Sequence, residues 1–404
     1  MPAPLVTSPP PIRTDGSNAF AQRTMAVRVP QIVSEAARRN PDYPPGIRKN
    51  LETLAQALET NAFIPPPEFD WPDVDDWWAQ WAAHPDESWG SAEWFYAEVY
   101  TYRWLIAAVD WHETGRDPFA PWKAEELAGK AVWEALAEAL RLLDKPAAER
   151  LTSLLHQALW GNRIDLSIAS IAARGTAAHE DDLLVDDSAA AIDHLFNQPP
   201  GAVHFLCDNA GTELALDLAL ADALLGGAAA TVTLHLKAHP TFVSDAVLAD
   251  VEGFLARLAD GWSPPERALA DRLNGARLDG RLILAPHPIW NSAHFLRDFP
   301  AEALAWFTGA ALVISKGDLN YRRATGDALW AADTPFGAVT AYFPAPLLAL
   351  RTLKSDPVVG LTPGQAERLD AESSDWRTNG RHGVIQFKAC GAATPPANRP
   401  GVPE

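Results

Sequence analysis

The sequence predicts an α/β protein in which a helical N-terminal part precedes a mostly parallel β-sheet with helices on both faces. Three observations carry this. After Pro200, short apolar runs alternate with helical patterns, the texture of a parallel sheet whose crossovers are helices. Between residues 30 and 162 every periodic stretch has helical spacing, so no strand is needed there. Residues 203–225, VHFLCDNAGTELALDLALADALL, read as a strand, a polar turn and a helix in direct succession.

In chain order, residues 1–29 are expected as a disordered or extended tail, because the first twelve are rich in proline and small residues. Residues 391–404, GAATPPANRPGVPE, are expected as a second tail. An all-helical, Trp-rich domain is expected over 30–175. Apolar residues at three and four spacing predict helices at 46–60, 92–110, 124–143 and 147–160, with Pro146 between the last two and Gly161 as a stop. Trp71, Trp77, Trp78, Trp81, Trp89, Trp94, Trp104 and Trp111 crowd this part beside Phe95, Tyr96 and Tyr100, and their helical spacing assigns them to packing rather than to a ligand groove. Residues 159–170, LWGNRIDLSIAS, break the helical pattern as a helix end followed by a new start. The acidic run Glu180, Asp181, Asp182, Asp186 and Asp187 reads as a solvated linker, with a helix starting near Ser188. Strands are expected at 203–206, 231–236, 281–284, 311–315, 348–353 and 384–387, with helices such as 247–258 between them, making 176–390 the α/β domain.

Composition narrows the partners. Lys plus Arg number 33 against 52 Asp plus Glu, a formal charge of −19, which repels nucleic acid and anionic membranes. Cys207 and Cys390 cannot form a disulfide framework, no signal peptide is recognisable, and apolar stretches end short of the roughly 20 residues of a membrane span. A cytoplasmic protein is expected; oligomeric state is not encoded in any of these features.

In open α/β sheets ligands bind beyond the carboxyl ends of the strands, and polar groups gather at that edge here. Asp208, Asn209 and Glu213 follow the first strand after Pro200, His239 and Asp245 the second, His287 and Asn291 the third, and Lys316, Asp318, Asn320 and Arg322 the fourth. Asp208, Asn209 and Asp245 would give one Mg²⁺- or Mn²⁺-sized ion three hard oxygen ligands. The bland reading is that Asp208 and Asn209 shape a turn and Asp245 caps a helix starting near Ala246. The helix after Gly211 directs its first N–H groups at the same place, which favours a bound anion. Lys316, Arg322, Arg323, Arg351 and Lys354 make two short basic clusters that suit a phosphate. Together these imply metal-assisted phosphoryl transfer to water. No GxSxG, CxxC, GxxxxGK[ST] or GxGxxG motif occurs, and His235 and His239 fall across a strand end, a poor arrangement for zinc.

Four motifs in order, DNAGTE (208–213), KAHPTFVSDA (237–246), KGDLNYRRATGD (316–327) and RTLKSD (351–356), resemble the damage-control phosphatase family, also known as domain of unknown function 89. RTLK resembles the branch with an RTxK signature, sugar-phosphate phosphatases also described as protein-glutamate O-methyltransferase-like, and EWFYAEVYTYRWL and LWGNRIDLS look like that branch too. The resemblance implies a helical domain on a Rossmann-like α/β/α three-layer domain, and a divalent metal (Mg²⁺, Mn²⁺, Co²⁺ or Ni²⁺) on Asp208, Asn209 and Asp245. It further implies Glu213 near the site, substrate contacts from Asp318, Leu319, Asn320, Tyr321 and Arg322, and phosphate on Lys354. Lys316 is added to the substrate set for its place at a strand end, and Asn162 and Asp165 as a reach from the helical part. Ser315, Arg323 and Val99 depart from the family's usual residues at flanking positions.

The implied activity is hydrolysis of phosphate monoesters of small sugars, fructose 1-phosphate or fructose 6-phosphate in type, in metabolite damage control. Water attacks phosphorus in the favoured scheme, with Asp318 or Glu213 handling protons; an aspartyl-phosphate on Asp208 is the competing scheme, and Ala210 stands where a DxD loop would carry its second acid. The alternative activity is S-adenosylmethionine-dependent methylation of protein glutamate, and a third reading is a non-catalytic binding protein on the same fold.

Overall fold

The computed structural model describes residues 7–161, 180–261 and 263–390. All six expected strands are present, and they join a seventh in one sheet: β1 Leu183–Asp186, β2 Gly201–Leu206, β3 Ala229–Lys237, β4 Leu282–His287, β5 Leu312–Lys316, β6 Leu347–Thr352 and β7 Gly383–Lys388. The order is β1-β7-β6-β5-β2-β3-β4. β6, β5, β2, β3 and β4 are mutually parallel, while β7 runs antiparallel to β6 and carries β1 parallel to itself. From β2 the chain proceeds outward to β3 and β4 and then returns to β5 on the other side. The crevice between β2 and β5 is therefore the switch point where such sheets bind ligands.

β1 corrects the expectation of a solvated linker. Leu183 pairs with Gly383 and Asp186 with Ile385, but three apolar residues flanked by acids are too short a signal to read. Charge at a short edge strand also discourages pairing with other chains. The helix expected near Ser188 runs Ser188–Phe196.

Residues 7–29 are packed, which corrects the expected tail. Ile12 is buried and its N–H donates to Asp327 O at 2.8 Å. Asn18 caps the helix Ala19–Arg23, a π turn Thr24–Arg28 follows, and the chain runs directly into the helix Val29–Arg39. The other expected helices are Pro45–Glu59, Trp94–Ala108 and Ala147–Gly161; the one expected at 124–143 is interrupted by Gly129, whose extended backbone (ψ 160°) separates Ala120–Ala128 from Lys130–Leu140. Residues 1–6, the 175/176 boundary, Asn162, Asp165 and the segment 391–404 lie outside the described residues.

Three cores explain the layers. On one face of the sheet the helix Thr212–Leu225 is sandwiched between the strands and the helices Lys130–Leu140 and Ala147–Gly161. Residues 212–224 of that helix are all buried, as expected of a helix that is apolar around most of its circumference. The opposite face is covered by Trp290, Phe307, Phe343 and Trp376 among others. A third, aromatic core gathers most of the N-terminal tryptophans and takes in Val243, Phe295 and Leu319 from the α/β part. The helical part is thus anchored at the carboxyl edge of the sheet. Among the described residues no helix is long and apolar enough to cross a membrane.

Candidate active site

The turns after β2 and β3 are laced together by backbone hydrogen bonds. Ala246 N–H donates to Asp208 O and Ala210 N–H to Ser244 O, both at 2.7 Å, and Asn209 faces Asp245 as an isolated antiparallel bridge. This brings Asp208, Asn209 and Asp245 side by side. Asp245 is therefore not a helix cap; the helix begins at Leu248, and Asp250 accepts from the Val247 N–H. Phe242 and Val243 take left-handed φ angles of 47° and 70°, strained for non-glycine residues. Burial of Val243 in the aromatic core opposes that strain, and backbone outliers of this kind concentrate at functional sites.

Carboxylates are concentrated here at a cost. Asp208 and Asp245 are buried, and burial, then the neighbouring Glu213 and Asp245 carboxylates, push the Asp208 carboxyl well above its usual range. Burial also raises Asp245, against the pull of Lys237, whose ammonium lies 2.7 Å from Asp245 Oδ2. The Asn209 amide nitrogen donates to Asp208 Oδ2 and Glu213 Oε2, each at 2.9 Å, while its carbonyl accepts from Ser244 Oγ at 2.6 Å. Among the described residues no three His, Cys, Asp or Glu side chains make a metal-holding group by themselves. The expected donor set has two carboxylates and an amide, and a dication would relieve the repulsion that raises Asp208.

Across the crevice, β5 approaches so closely that only glycine fits at 317, where φ is +79° and a Cβ would fall 1.8 Å from Asp208 Oδ2. Asp318, at the start of the helix Gly317–Thr325, accepts from Arg351 Nε at 2.8 Å and from the Lys354 N–H at 3.2 Å. Burial would raise its carboxyl, but Arg351 and Arg322 outweigh burial and hold it below the usual range. Arg322 is itself clamped, by Glu98 at 2.6 Å and by both oxygens of Asp327 at 2.8 and 3.0 Å, with its guanidinium 3.6 Å over the Trp94 ring.

These groups line one cavity of about 70 Å³, whose wall includes Asp208, Asn209, Asp245, Asp318, Leu319, Arg322 and Lys354. The helical part contributes Trp94, Glu98 and Tyr102, and the N-terminal segment Phe20 and Arg28. Larger cavities of about 130, 430, 560 and 630 Å³ contain none of Asp208, Asn209, Glu213 and Asp245, so the chemistry decides for the smaller one.

Other sequence-predicted residues stand behind this wall. Lys316 is fully buried, donating to Ala158 O at 2.8 Å and Asp217 at 2.7 Å with Glu213 at 3.1 Å; it holds Glu213 rather than facing the cavity. Asn320 donates to Leu206 O, Cys207 O and Lys316 O, tying β2 to β5. Tyr321 binds Gln386, Arg323 donates to the His294 and Trp290 carbonyls, and Arg351 serves Asp318. The anion expected at the helix N-terminus is the chain's own Glu126, whose Oε1 accepts from Thr212 N–H at 2.8 Å and Thr212 Oγ1 at 2.7 Å. Sequence reasoning gave no role to Lys237, Ser244, Glu98, Glu126 or Arg28. Lys237, Ser244 and Glu98 did lie inside quoted stretches, and that was the available signal.

Comparison with known proteins finds relatives along most of the chain. The family described as damage-control phosphatase ARMT1-like domain matches residues 24–369. The chain is 32% identical over 334 residues to damage-control phosphatase ARMT1 of Danio rerio, covering 75% of each, and 29% identical over 433 residues to that of Homo sapiens, covering 91% of this chain and 96% of the relative. In fold it resembles a DUF89 family protein from Pyrococcus horikoshii, with TM-score 0.50 and 17% identity over 93% of this chain and 99% of that one. By the extent of these matches, the chain belongs to the ARMT1-like damage-control phosphatase family.

Proposed function

We propose that this protein hydrolyses phosphate monoesters of small sugars, of the fructose 1-phosphate and fructose 6-phosphate type, with Asp208, Asn209 and Asp245 holding a divalent cation such as Mg²⁺, Mn²⁺, Co²⁺ or Ni²⁺. The observation that carries this is one cavity wall with two buried carboxylates on the β2–β3 side and Lys354 and Arg322 on the β5–β6 side. The phosphatase names of the relatives support the same reaction class. A bound cation supplies Lewis-acid charge to the phosphoryl oxygens. Lys354 neutralises the developing phosphate charge from the other side. Asp318, kept ionised by Arg351 and Arg322, accepts a hydrogen bond from the attacking water and orients it. Glu213, held between Lys316 and Asn209, positions the Asn209 amide.

The substrate is expected to be small. The cavity is below the roughly 300 Å³ at which small-molecule sites usually begin. Phosphate release from a sugar-phosphate panel, with metals returned to chelator-treated protein, tests the reading. Release from fructose 1-phosphate or fructose 6-phosphate is the expected result. No release from any member while metal binds contradicts it and turns attention to carboxyl methylation.

A further inference from the structure

The helix Ala120–Ala128 reaches both turns that carry the metal-ligand candidates, each with one charged side chain. Lys123, 5% exposed, donates to the Asp245 carbonyl oxygen at 3.1 Å and to Asp250 Oδ2 at 2.6 Å, with Asp117 Oδ2 at 2.9 Å. Asp250 in turn accepts from the Val247 N–H, so Lys123 grips the end of the turn after β3 and the helix that follows it. On the same helix, Glu126 accepts from the Thr212 N–H and hydroxyl at the end of the turn after β2. Gly211 there has φ +71°, and a Cβ at that position would overlap the Glu126 carboxylate, so the turn is shaped to receive it. Positions 123 and 126 share one helix face, which lets a single helix hold both turns.

The helix is itself pinned from the helical part. Trp122 is buried in the aromatic core with the Arg39 guanidinium 4.6 Å from its ring centre, and Arg39 also pairs with Glu125 at 2.6 Å. Neither Lys123 nor Glu126 lines the cavity, so they act through the turns rather than on a substrate. What they fix is the placement of the two turns relative to each other. That placement is under load, because Glu213 and Asp245 act on Asp208 as like charges. Binding of a cation at Asp208, Asn209 and Asp245 removes the load.

We propose that Lys123 and Glu126 are positioning residues, a two-point clamp on the turns after β2 and β3, through which docking of the helix Ala120–Ala128 and binding of a divalent cation strengthen each other. The proposal rests on the metal site assigned to Asp208, Asn209 and Asp245. Such coupling is reciprocal: whatever the clamp adds to cation affinity, the cation adds to the clamp.

The test titrates Mn²⁺ by calorimetry into chelator-stripped wild type, Glu126→Gln, Glu126→Ala and Lys123→Met. Hydrogen exchange across residues 120–128 is followed with and without Mn²⁺, and thermal unfolding is recorded without metal. Glu126→Ala and Lys123→Met are each expected to lose about tenfold or more in Mn²⁺ affinity, the scale on which partners behind a ligand set act. Glu126→Gln keeps an acceptor for Thr212 and is expected to recover most of the loss. In wild type Mn²⁺ is expected to slow exchange across 120–128, a response that Glu126→Ala abolishes. Unchanged Mn²⁺ affinity in Glu126→Ala or in Lys123→Met overturns the proposal while leaving the metal site standing. So does exchange in wild type that ignores bound Mn²⁺, a readout that needs no variant to fold. An affinity loss that tracks a lowered melting temperature equally in Glu126→Ala and Glu126→Gln marks a packing role and overturns it too. If wild type binds no Mn²⁺, the metal site itself has failed and the clamp falls with it.

Discussion

Lys237 places its ammonium 2.7 Å from Asp245 Oδ2, and both side chains are 2% exposed. A buried pair that loses one partner leaves an uncompensated charge, at about 3–5 kcal/mol. Lys237→Met is therefore expected to lower stability by that order in urea unfolding without divalent cation. Added Mn²⁺ is expected to stabilise the variant more than wild type, because a cation on Asp245 replaces the lost charge. Equal stabilisation of both proteins contradicts a cation at Asp245.

The Glu98–Arg322–Asp327 group ties the helical part to the helix that carries Asp318, through bonds of 2.6 to 3.0 Å. Burial raises the Glu98 carboxyl while Arg322 opposes the rise. Glu98→Ala is expected to cost about 3 kcal/mol and Glu98→Gln less, since the amide retains an acceptor for Arg322. Urea midpoints measure this. A cost under about 1 kcal/mol for Glu98→Ala would mean that the group is not a structural tie.

Metal affinity is expected to rise with pH. Burial and the neighbouring carboxylates hold the Asp208 carboxyl well above its usual range, so a proton competes with a cation for this group. Calorimetry of Mn²⁺ binding in buffers of different ionisation enthalpy is expected to register proton release that grows as pH falls. In Asp208→Asn that release is expected to disappear. Binding without proton release contradicts the assignment.

His235 makes acid a liability. Its Nε2 lies 2.9 Å from His204 Nδ1, and burial, then the His204 and His287 charges, lower it from 6.5 to about 3. The unfolded chain therefore binds this proton more readily than the folded one. The neutral ring's contribution is fully present above pH 6.5 and is lost as pH falls toward about 3, amounting to about 3 kcal/mol by pH 4. In His235→Phe the loss of urea stability between pH 7 and pH 4 is expected to shrink by that order. An unchanged acid slope would place the titration elsewhere.

The sheet was legible because its central strands are buried on both faces and separate cleanly from polar turns, as at 203–206 before Asp208. The candidates Asp208 and Asn209 stood out because they come just after β2, whereas Asp245 lies eight residues past the end of β3. The segment 318–323 misled because consecutive helical residues point in different directions. Asp318, Leu319 and Arg322 share the cavity face, while Asn320 and Tyr321 turn toward β2 and β7. Lys316 was misjudged because a lysine at a strand end reads as exposed, and only the fold brings Asp217 and Glu213 beneath it. Glu98 lay inside a quoted stretch without being singled out, while Arg28 and Glu126 were silent for want of any local pattern. The partners of Glu98 and Glu126 lie across the chain, and a single charge in a helix carries no spacing signal.

Manganese-dependent phosphate release from fructose 1-phosphate, by chelator-stripped wild type beside Asp245→Ala, tests the central claim most directly. The account predicts no release without metal, release restored by Mn²⁺ in wild type, and a loss of at least about a hundredfold in the variant. Full release by the stripped protein, or equal restoration in Asp245→Ala, would contradict the assignment of the metal site to Asp208, Asn209 and Asp245.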